Sequence, residues 1–248
     1  MSTDAVYRIA EHTIRIKTLY ERMHSEAAAF AASGVPDLTV EISQADIDAE
    51  REQSARTNEA EGLGNPSYSD AYLETLAVYR KIAERMPLSG IVLFHGSAIA
   101  VDGEAYLFTA KSGTGKSTHA RLWRALLGER AVMINDDKPL IRIAPDGATV
   151  FGTPWNGKHR LGINGSAPIR AICLLERGER NRIERIDPRA AYPMLLQQTY
   201  RPASLDALKA TLTLLDTLMQ TVAFYRLSCN MEPEAARVSY EAMKGNKL

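Results

Sequence analysis

The sequence predicts an α/β fold, with an α/β core that follows a smaller N-terminal α+β part and ends in C-terminal helices. A short apolar run at 105–109 enters a glycine-rich loop, and a helical pattern follows at 116–127. Several further apolar runs between residues 90 and 178 have the length of buried strands. The last third is mostly helical, and its apolar stripe consists of Leu205, Leu208, Leu212, Leu215 and Met219.

Composition and charge exclude several classes of protein. The chain of 248 residues has 45% hydrophobic and 24% charged residues, an ordinary globular composition. Its 30 basic and 30 acidic residues cancel, which disfavours general nucleic-acid binding. No apolar run approaches a membrane span, and the N-terminus lacks a signal-peptide core, so we expect a cytoplasmic protein without a membrane partner. Cys173 and Cys229 lie in apolar runs without a C-x-x-C pattern, which predicts buried free thiols.

Residues 1–68 are predicted to form the N-terminal α+β part. Alternating apolar and charged residues over 5–18 indicate a strand or a hairpin. The stretch 57–70 is rich in Gly, Asn, Ser and Pro, and it is the strongest candidate for a boundary or a mobile loop. Ser69 is placed to cap the next helix, with which the second domain, 69–248, begins.

Two features of the second domain carry specific structural predictions. Asp102 and Gly103 separate two apolar runs, which is a strong signal for a hairpin turn. Residues 169–178 have the composition of a buried strand. The segment 176–187 alternates in charge, and we expect a solvated turn there.

The stretch AKSGTGKST, residues 110–118, has the composition of a phosphate-binding loop. Glycines let the backbone approach phosphate oxygens, while the N–H groups of the loop and of the helix N-terminus converge on one anion. Lys116 would reach the β- and γ-phosphates, and the Ser117 hydroxyl would bind Mg²⁺. A chance G-K-S at a helix start is the alternative, which the flanking strand and helix disfavour. The predicted nucleotide-binding residues of the loop are Ser112, Gly113, Thr114, Gly115, Lys116, Ser117 and Thr118.

The loop departs from the usual pattern G-x-x-x-x-G-K-[ST] at its first position, where this chain has Ala110. That first residue supplies no side-chain ligand atom. Alanine disfavours positive φ but costs little otherwise. We therefore expect a slightly different entry into the loop, with the phosphate cradle intact.

Asp136 and Asp137 end an apolar strand pattern about twenty residues after the loop. Phosphoryl transfer needs a carboxylate near Mg²⁺, and a kinase also needs a group that orients or deprotonates the accepting hydroxyl. Two adjacent aspartates can divide those tasks, although the alternative is a solvated N-D-D-K-P turn. His95 ends another apolar run. If that run neighbours the strand before the glycine-rich loop, the His95 imidazole would either contact the transferring phosphoryl group or tune the protonation of the two aspartates.

These segments together resemble the catalytic domain of the HPr kinase/phosphorylase family and its kinase-like relatives, which share a nucleotide-binding core with the phosphoenolpyruvate carboxykinases. The resemblance covers about residues 90–180 and rests on an H-G pair, the S-G-x-G-K-S loop and a D-D pair, in that order. At Ala110 and Thr118 the family usually has glycine and glutamate. Residues 1–85 do not look like the family's N-terminal domain, so the chain resembles a divergent member.

The resemblance implies a P-loop kinase core that uses ATP and Mg²⁺ and a serine-type hydroxyl as acceptor. Lys116 matches the family's phosphate-binding lysine, while Ser117 and Asp137 match its Mg²⁺ ligands. Asp136 matches the catalytic acid/base, and His95 matches the active-site histidine. A homo-oligomer would fit the family.

The stretch GTPWNGKHR, residues 152–160, predicts a basic loop. Lys158 is expected to contact the nucleotide phosphates, and Arg160 is expected to act in catalysis, since charge spreads over the γ-phosphoryl oxygens during transfer. The alternative is a solvated basic turn with Trp155 packed beneath it.

Three functions follow from these residues. The first is an ATP-dependent kinase whose acceptor is a hydroxyl of a protein, a peptide or a small molecule. The second is a nucleotide-binding regulatory module with little or no phosphotransfer. The third, a carboxykinase-like decarboxylase, is disfavoured because the chain is short and has no second metal cluster of Lys, His and Asp.

Overall fold

The computed structural model describes residues 3–60, 64 and 66–245, and the protein is α/β, with a curled mixed sheet and flanking helices. The chain divides into two compact units, Met1–Glu84 and Arg85–Leu248. The predicted boundary, after residue 68, lies before the observed one. The helix Asp70–Ala83 lies between the two boundaries, and it belongs to the first unit because it packs on elements of that unit. Of the predicted boundary loop 57–70, residues 57–60 are helical, and residues 61–63 and 65 lie outside the described residues.

The first unit contains a three-stranded sheet and three α-helices. Of the two alternatives predicted over 5–18, a strand or a hairpin, the structure has the hairpin: β1 and β2 are joined through Ala10 and Glu11, whose φ angles are 47° and 67°. Strand β3 pairs parallel to β2. The Ser69 side chain accepts a hydrogen bond from the Tyr72 backbone N–H, which confirms the predicted cap. The elements are β1 (Thr3–Ile9), β2 (His12–Thr18), α1 (Arg22–Glu26), β3 (Leu38–Glu41), α2 (Gln44–Ala60) and α3 (Asp70–Ala83).

Buried carboxylates join the helices of this unit. Glu50 on α2 accepts two hydrogen bonds from the Arg80 guanidinium on α3, at 2.5 and 3.0 Å. Glu74 on α3 is fully buried and accepts the backbone N–H groups of Leu19 and Tyr20 at 2.6 and 3.0 Å. Both buried carboxylates therefore have hydrogen-bond donors in place of water, as a buried polar or charged group requires.

The second unit is built on a sheet of nine described strands. Its main path runs β4-β8-β9-β10-β6-β5-β7, and β12 pairs with β10 and β11. The long strand β10 pairs parallel with β6 and β12, and antiparallel with β9 near its start, so the sheet is mixed. The strands are β4 (Ile91–Leu93), β5 (Ser97–Val101), β6 (Glu104–Thr109), β7 (Ala131–Asn135), β8 (Leu140–Ala144), β9 (Gly147–Phe151), β10 (Ser166–Arg177), β11 (Arg182–Arg185) and β12 (Ala223–Cys229).

Helices cover both faces of this sheet. Alternate residues of a strand point to opposite faces, so Leu107 of β6 packs with α5 and α6, while Phe108 packs with α4 and α7. The central strands are therefore apolar on both faces, as the continuous hydrophobic runs predicted. The helices are α4 (Lys116–Leu127), α5 (Pro188–Gln198), α6 (Leu205–Thr221) and α7 (Pro233–Lys244).

Most predicted elements of the second unit form. Val101 pairs with Glu104 across Asp102-Gly103, which confirms the hairpin. The prediction of a solvated turn over 176–187 is wrong in part: Arg182–Arg185 form β11, which pairs with β12. Among the described helices, none combines the length and the apolar character needed to cross a membrane.

Candidate active site

Three strand ends meet at one edge of the sheet. In the strand order β6-β5-β7, Phe108 pairs with Ser97, and Ala98 pairs with Asn135. The end of β6, the start of β5 and the end of β7 therefore lie at the same edge. Because neighbouring strands are about 4.8 Å apart, the exits of β6 and β7 are separated by about 10 Å.

The glycine loop, defined as residues 110–118, leaves β6 at this edge and enters α4. Gly113 and Gly115 have φ angles of 72° and 118°, which only glycine adopts at low cost. Gly115 is the N-cap of α4, and the N-terminal N–H groups of this helix have no partner within the helix itself. Ala110 is fully buried and is not among the positions with positive φ, so this position does not require glycine.

Lys116 and Ser117 form the first turn of α4. The Lys116 ammonium donates a hydrogen bond to the Ala110 carbonyl at 3.1 Å, and so closes the loop on itself. Ser117 is exposed. On the far side, Arg177 at the end of β10 donates to the Gly113 carbonyl at 2.6 Å. The loop is thus held at both its base and its tip.

Asp136 follows β7 and is buried, with 9% of its surface exposed. Its Oδ1 accepts a hydrogen bond from the Ser97 hydroxyl at 2.5 Å. A β-carbon built on Gly157 would lie 2.9 Å from the Asp136 carbonyl and 3.3 Å from its Oδ2. A glycine is therefore needed where the basic loop passes this carboxylate.

Asn135 organises the turn that carries the two aspartates. Its side-chain oxygen accepts the backbone N–H groups of Asp137 and Lys138, both at 2.8 Å. Its amide donates to the Thr153 hydroxyl at 3.0 Å and to the Trp155 carbonyl at 3.3 Å. The turn is thus ordered by buried contacts with the basic loop, and it differs from the solvated turn that the sequence also allowed.

Asp137 lies beside His95 and Lys138. The Asp137 carboxylate is 3.5 Å from His95 Nε2 and 3.6 Å from the Lys138 ammonium. Burial, together with the charges of Lys138 and Lys116, lowers the pKa of His95 to about 3, so its imidazole is neutral at pH 7. The Gly96 N–H donates to the Asp137 carbonyl at 3.1 Å, which joins the H-G and D-D pairs directly.

The strand that precedes His95 lies elsewhere than the sequence reasoning assumed. β4 pairs with β8, and β5, which follows His95, is the neighbour of β6. His95 nevertheless reaches the site from the β4–β5 connection. Its carbonyl accepts the Thr109 hydroxyl at 3.0 Å, at the exit of β6.

The basic loop combines features of both readings. Trp155 is buried, as the packed-turn alternative expects, while Lys158 and Arg160 are exposed. Arg160 has a φ of 47°, and its N–H donates to the Gly157 carbonyl at 2.9 Å. The two cations therefore follow Gly157, which passes close to Asp136, by one and three positions.

A cavity of about 750 Å³ adjoins the glycine loop on the side of α4. Its wall includes Gly113, Thr118 and His119, together with apolar residues of α4 and of the strand ends. Its volume is within the range of small-molecule sites. No group of three or more His, Cys, Asp or Glu within residues 3–60, 64 and 66–245 is arranged to hold a metal.

A profile of the family described as "SynChlorMet cassette protein ScmC" matches residues 70–232, more than half of the chain. The chain belongs to the ScmC family. The segment shared with ScmC proteins contains the glycine loop, His95, both aspartates and the basic loop, so every predicted site residue lies in the part that defines the family.

Among solved structures, the Hpr(Ser) kinase/phosphatase from Coxiella burnetii aligns with this ScmC-family chain at 11% identity and a TM-score of 0.34. The alignment covers 62% of this chain and 99% of that one. A likeness at that level carries no argument about the site. None of the curated proteins matches the chain.

Sequence reasoning missed several residues of this edge. Ser97, Asn135 and Thr153 support the aspartates, and Arg177 holds the glycine loop. Asn135 had a usable signal, since Asn before Asp-Asp-Lys-Pro favours side-chain hydrogen bonds to its own turn. The other three reach the site from strands or loops that are distant in sequence, and no local pattern marks them.

Proposed function

We propose that this protein is an ATP-dependent kinase that requires Mg²⁺ and transfers the γ-phosphoryl group to a serine-type hydroxyl. The acceptor belongs to a protein, a peptide or a small molecule. The supporting observation is an arrangement at one edge of the sheet. There the glycine loop leaves β6 on one side of the start of β5, and the two aspartates follow β7 on its other side. Such an edge offers a phosphate cradle and carboxylates within the reach of one triphosphate.

The glycine loop fits a triphosphate. Gly113 and Gly115 leave backbone N–H groups uncovered by side chains, and the N-terminus of α4 adds its partial positive charge. Lys116 starts at the base of this cradle. Its hydrogen bond to the Ala110 carbonyl is exchanged for phosphate oxygens, a stronger, charge-assisted partner.

The available donors also fit Mg²⁺. This ion is usually held by one or two protein oxygens, with substrate phosphates and water completing its octahedron. The Ser117 hydroxyl and the Asp137 carboxylate would supply those oxygens, so a preformed cluster is not required. When bound, the ion neutralises charge on the β- and γ-phosphate oxygens.

Asp136 is the base in this proposal. Ser97 binds Oδ1, which fixes the carboxylate plane and leaves Oδ2, on the side of Gly157, for the acceptor. The acceptor oxygen forms its bond to the γ-phosphorus, the bond to the bridging oxygen of ADP breaks, and the hydroxyl proton moves to Asp136. ADP leaves with the electron pair of the broken bond.

Positive charge surrounds the transferred group. Lys116 approaches from the glycine loop, and Lys158 and Arg160 approach from the basic loop. His95, kept neutral, donates or accepts one hydrogen bond without adding charge beside Asp137.

The test is Asp136→Asn, assayed by transfer of ³²P from labelled ATP to free serine, small alcohols and serine-containing peptides. We expect transfer to fall at least about 100-fold, the usual effect of a lost general base, while ATP affinity stays within about threefold. Asp146→Asn, at the exposed turn between β8 and β9, is the matched control and retains full activity. Lys116→Ala should abolish ATP binding.

The same experiment distinguishes the kinase from the alternative function, a nucleotide-binding regulatory module. It needs the glycine loop and one metal ligand but no base. If Asp136→Asn binds ATP and transfers phosphate as fast as the wild type, the mechanism with Asp136 as the base is wrong. If the wild type binds ATP but transfers phosphate to none of the acceptors, the kinase proposal is wrong and the module is favoured.

A further inference from the structure

The cavity beside the glycine loop has a mixed lining. Gly113 and Gly115 of the loop form part of its wall, and Leu122, Leu175 and Met231 are its large apolar residues. Met231 borders the cavity and is 78% exposed, so other protein atoms bury only a small part of its apolar side chain. The volume of about 750 Å³ is more than a phosphate group needs.

A buried histidine in the cavity wall lacks one hydrogen-bond partner. His119 is 2% exposed, and its Nε2 lies 3.0 Å from the Ser239 hydroxyl oxygen. Its Nδ1 is buried and has no partner. Native proteins rarely leave such an atom unpaired, because the cost is about 1–3 kcal/mol.

The partners of Ser239 determine which proton His119 carries. The hydroxyl has one proton, which it shares with the Ala235 and Ala236 carbonyls at 2.9 and 3.0 Å. It already accepts the Trp123 indole N–H at 2.8 Å. With that proton on the Ala235 and Ala236 carbonyls, His119 Nε2 donates to Ser239, and Nδ1 is then a hydrogen-bond acceptor.

Two other polar side chains of the wall, Asn230 and Arg177, have partners of their own. The Asn230 amide donates to the Glu179 carbonyl at 3.2 Å, and its oxygen accepts the Glu232 N–H at 3.0 Å. Arg177 is bonded to the Gly113 carbonyl. Among the cavity-lining residues that the structure describes, His119 is the one with a buried side-chain atom without a partner.

We propose that this cavity holds the purine base of the nucleotide and that the exocyclic amine of adenine donates a hydrogen bond to His119 Nδ1. This inference rests on the proposed function, because the cavity opens onto the glycine loop that would hold the phosphates. The flat base packs between Leu122, Leu175 and Met231. Guanine has a carbonyl oxygen where adenine has the amine. That oxygen would face His119 Nδ1, so two acceptors would meet without a proton between them, and the site prefers ATP to GTP.

The test compares ATP with purine riboside triphosphate, which lacks only the amine, by calorimetry on the full chain with Mg²⁺. The wild type should bind ATP about tenfold more tightly, as expected for one buried hydrogen bond. His119→Phe should bind the two nucleotides equally. Asp146→Asn, at the exposed turn between β8 and β9, is the control and should retain the preference.

A second measurement uses the wild type alone and so does not depend on a variant's folding. Cys229 is half-buried in the cavity wall, whereas Cys173 is fully buried and stays unreactive. Burial raises the pKa of the Cys229 thiol, so alkylation is followed at mildly alkaline pH. ATP should slow the labelling of Cys229, while inorganic tripolyphosphate, which fills only the phosphate cradle, should not.

The outcomes separate the two proposals. Binding of ATP that depends on Lys116, without preference for the amine and without protection of Cys229, overturns the base site and leaves the kinase proposal standing. Failure of every nucleotide to bind overturns both.

Discussion

The two adjacent aspartates, Asp136 and Asp137, have different environments in the structure. Asp136 is buried and bonded to Ser97, whereas Asp137 is about one-third exposed beside His95 and Lys138. Both residues lie in the turn after β7, where the Ser97 hydroxyl reaches Asp136, whereas His95 and Lys138 border Asp137. This difference supports the division into base and metal ligand that the family resemblance implied, and the roles themselves stay predictions.

The pH dependence of stability tests the environment of His119. Burial lowers its pKa from 6.5 to about 4. Between these values the unfolded chain binds the proton and the folded chain does not, so stability falls as the pH decreases from 6.5 towards 4. The full loss is on the order of 3 kcal/mol, since one pKa unit corresponds to about 1.4 kcal/mol.

The measurement is urea unfolding of the wild type and His119→Phe at several pH values. The wild type should lose more unfolding free energy over this window than the variant. His95, whose pKa is also lowered, is present in both proteins and therefore cancels from the difference. Equal slopes would show that His119 is not held neutral by burial.

At the scale of the element, the glycine loop and α4 form one unit. Gly115 caps the helix with a φ of 118°, and nothing except the Thr118 β-carbon lies within 4 Å of the position of an added β-carbon. The glycine is thus required by backbone conformation and not by lack of space. The direction of the loop N–H groups depends on that conformation.

We expect Gly115→Ala to destabilise the protein by about 1–2 kcal/mol and to weaken ATP binding by at least about tenfold, because relief of the strain rotates the loop N–H groups. Gly103→Ala is the matched control: Gly103 has a φ of 87°, open space around it and a place in the hairpin between β5 and β6. Thermal unfolding and ATP calorimetry measure both effects. If the two variants bind ATP equally, the loop conformation does not carry the phosphate site.

At the scale of the whole molecule, the chain has two compact units, Met1–Glu84 and Arg85–Leu248. Both tryptophans, Trp123 and Trp155, belong to the second. Tryptophan fluorescence therefore reports the unit with the candidate site, whereas far-ultraviolet circular dichroism reports both. The units can thus be followed separately in one protein.

We expect Arg80→Ala to destabilise the first unit by about 3 kcal/mol, because it leaves the Glu50 carboxylate buried without its guanidinium. The dichroism transition should shift, while the fluorescence transition and ATP affinity stay unchanged. Arg56→Ala, which breaks an exposed pair with Glu52 on α2, is the control and should change stability by less than about 0.5 kcal/mol. A fluorescence shift as large as the dichroism shift would show that the units unfold together.

The sequence by itself determined the local elements. Periodicity and turn chemistry act over a few residues, and they sufficed for the hairpin at Asp102-Gly103, the Ser69 cap, and the strand, loop and helix around Lys116. Over 5–18 they left a strand and a hairpin both open. They failed at β11, whose charged residues form a strand because β12 offers an edge to pair with.

Only the tertiary structure decided which elements meet. The order β6-β5-β7 brings the aspartates to the glycine loop, Ser97 reaches Asp136 from 39 positions away, and His119 meets Ser239 across 120. Such pairings follow from the burial of whole sheet faces under the helices, a sum over many weak contacts that no short stretch of sequence contains. For that reason the glycine loop was visible in the sequence, whereas the bond of Ser97 to Asp136 and the wall of the neighbouring cavity were not.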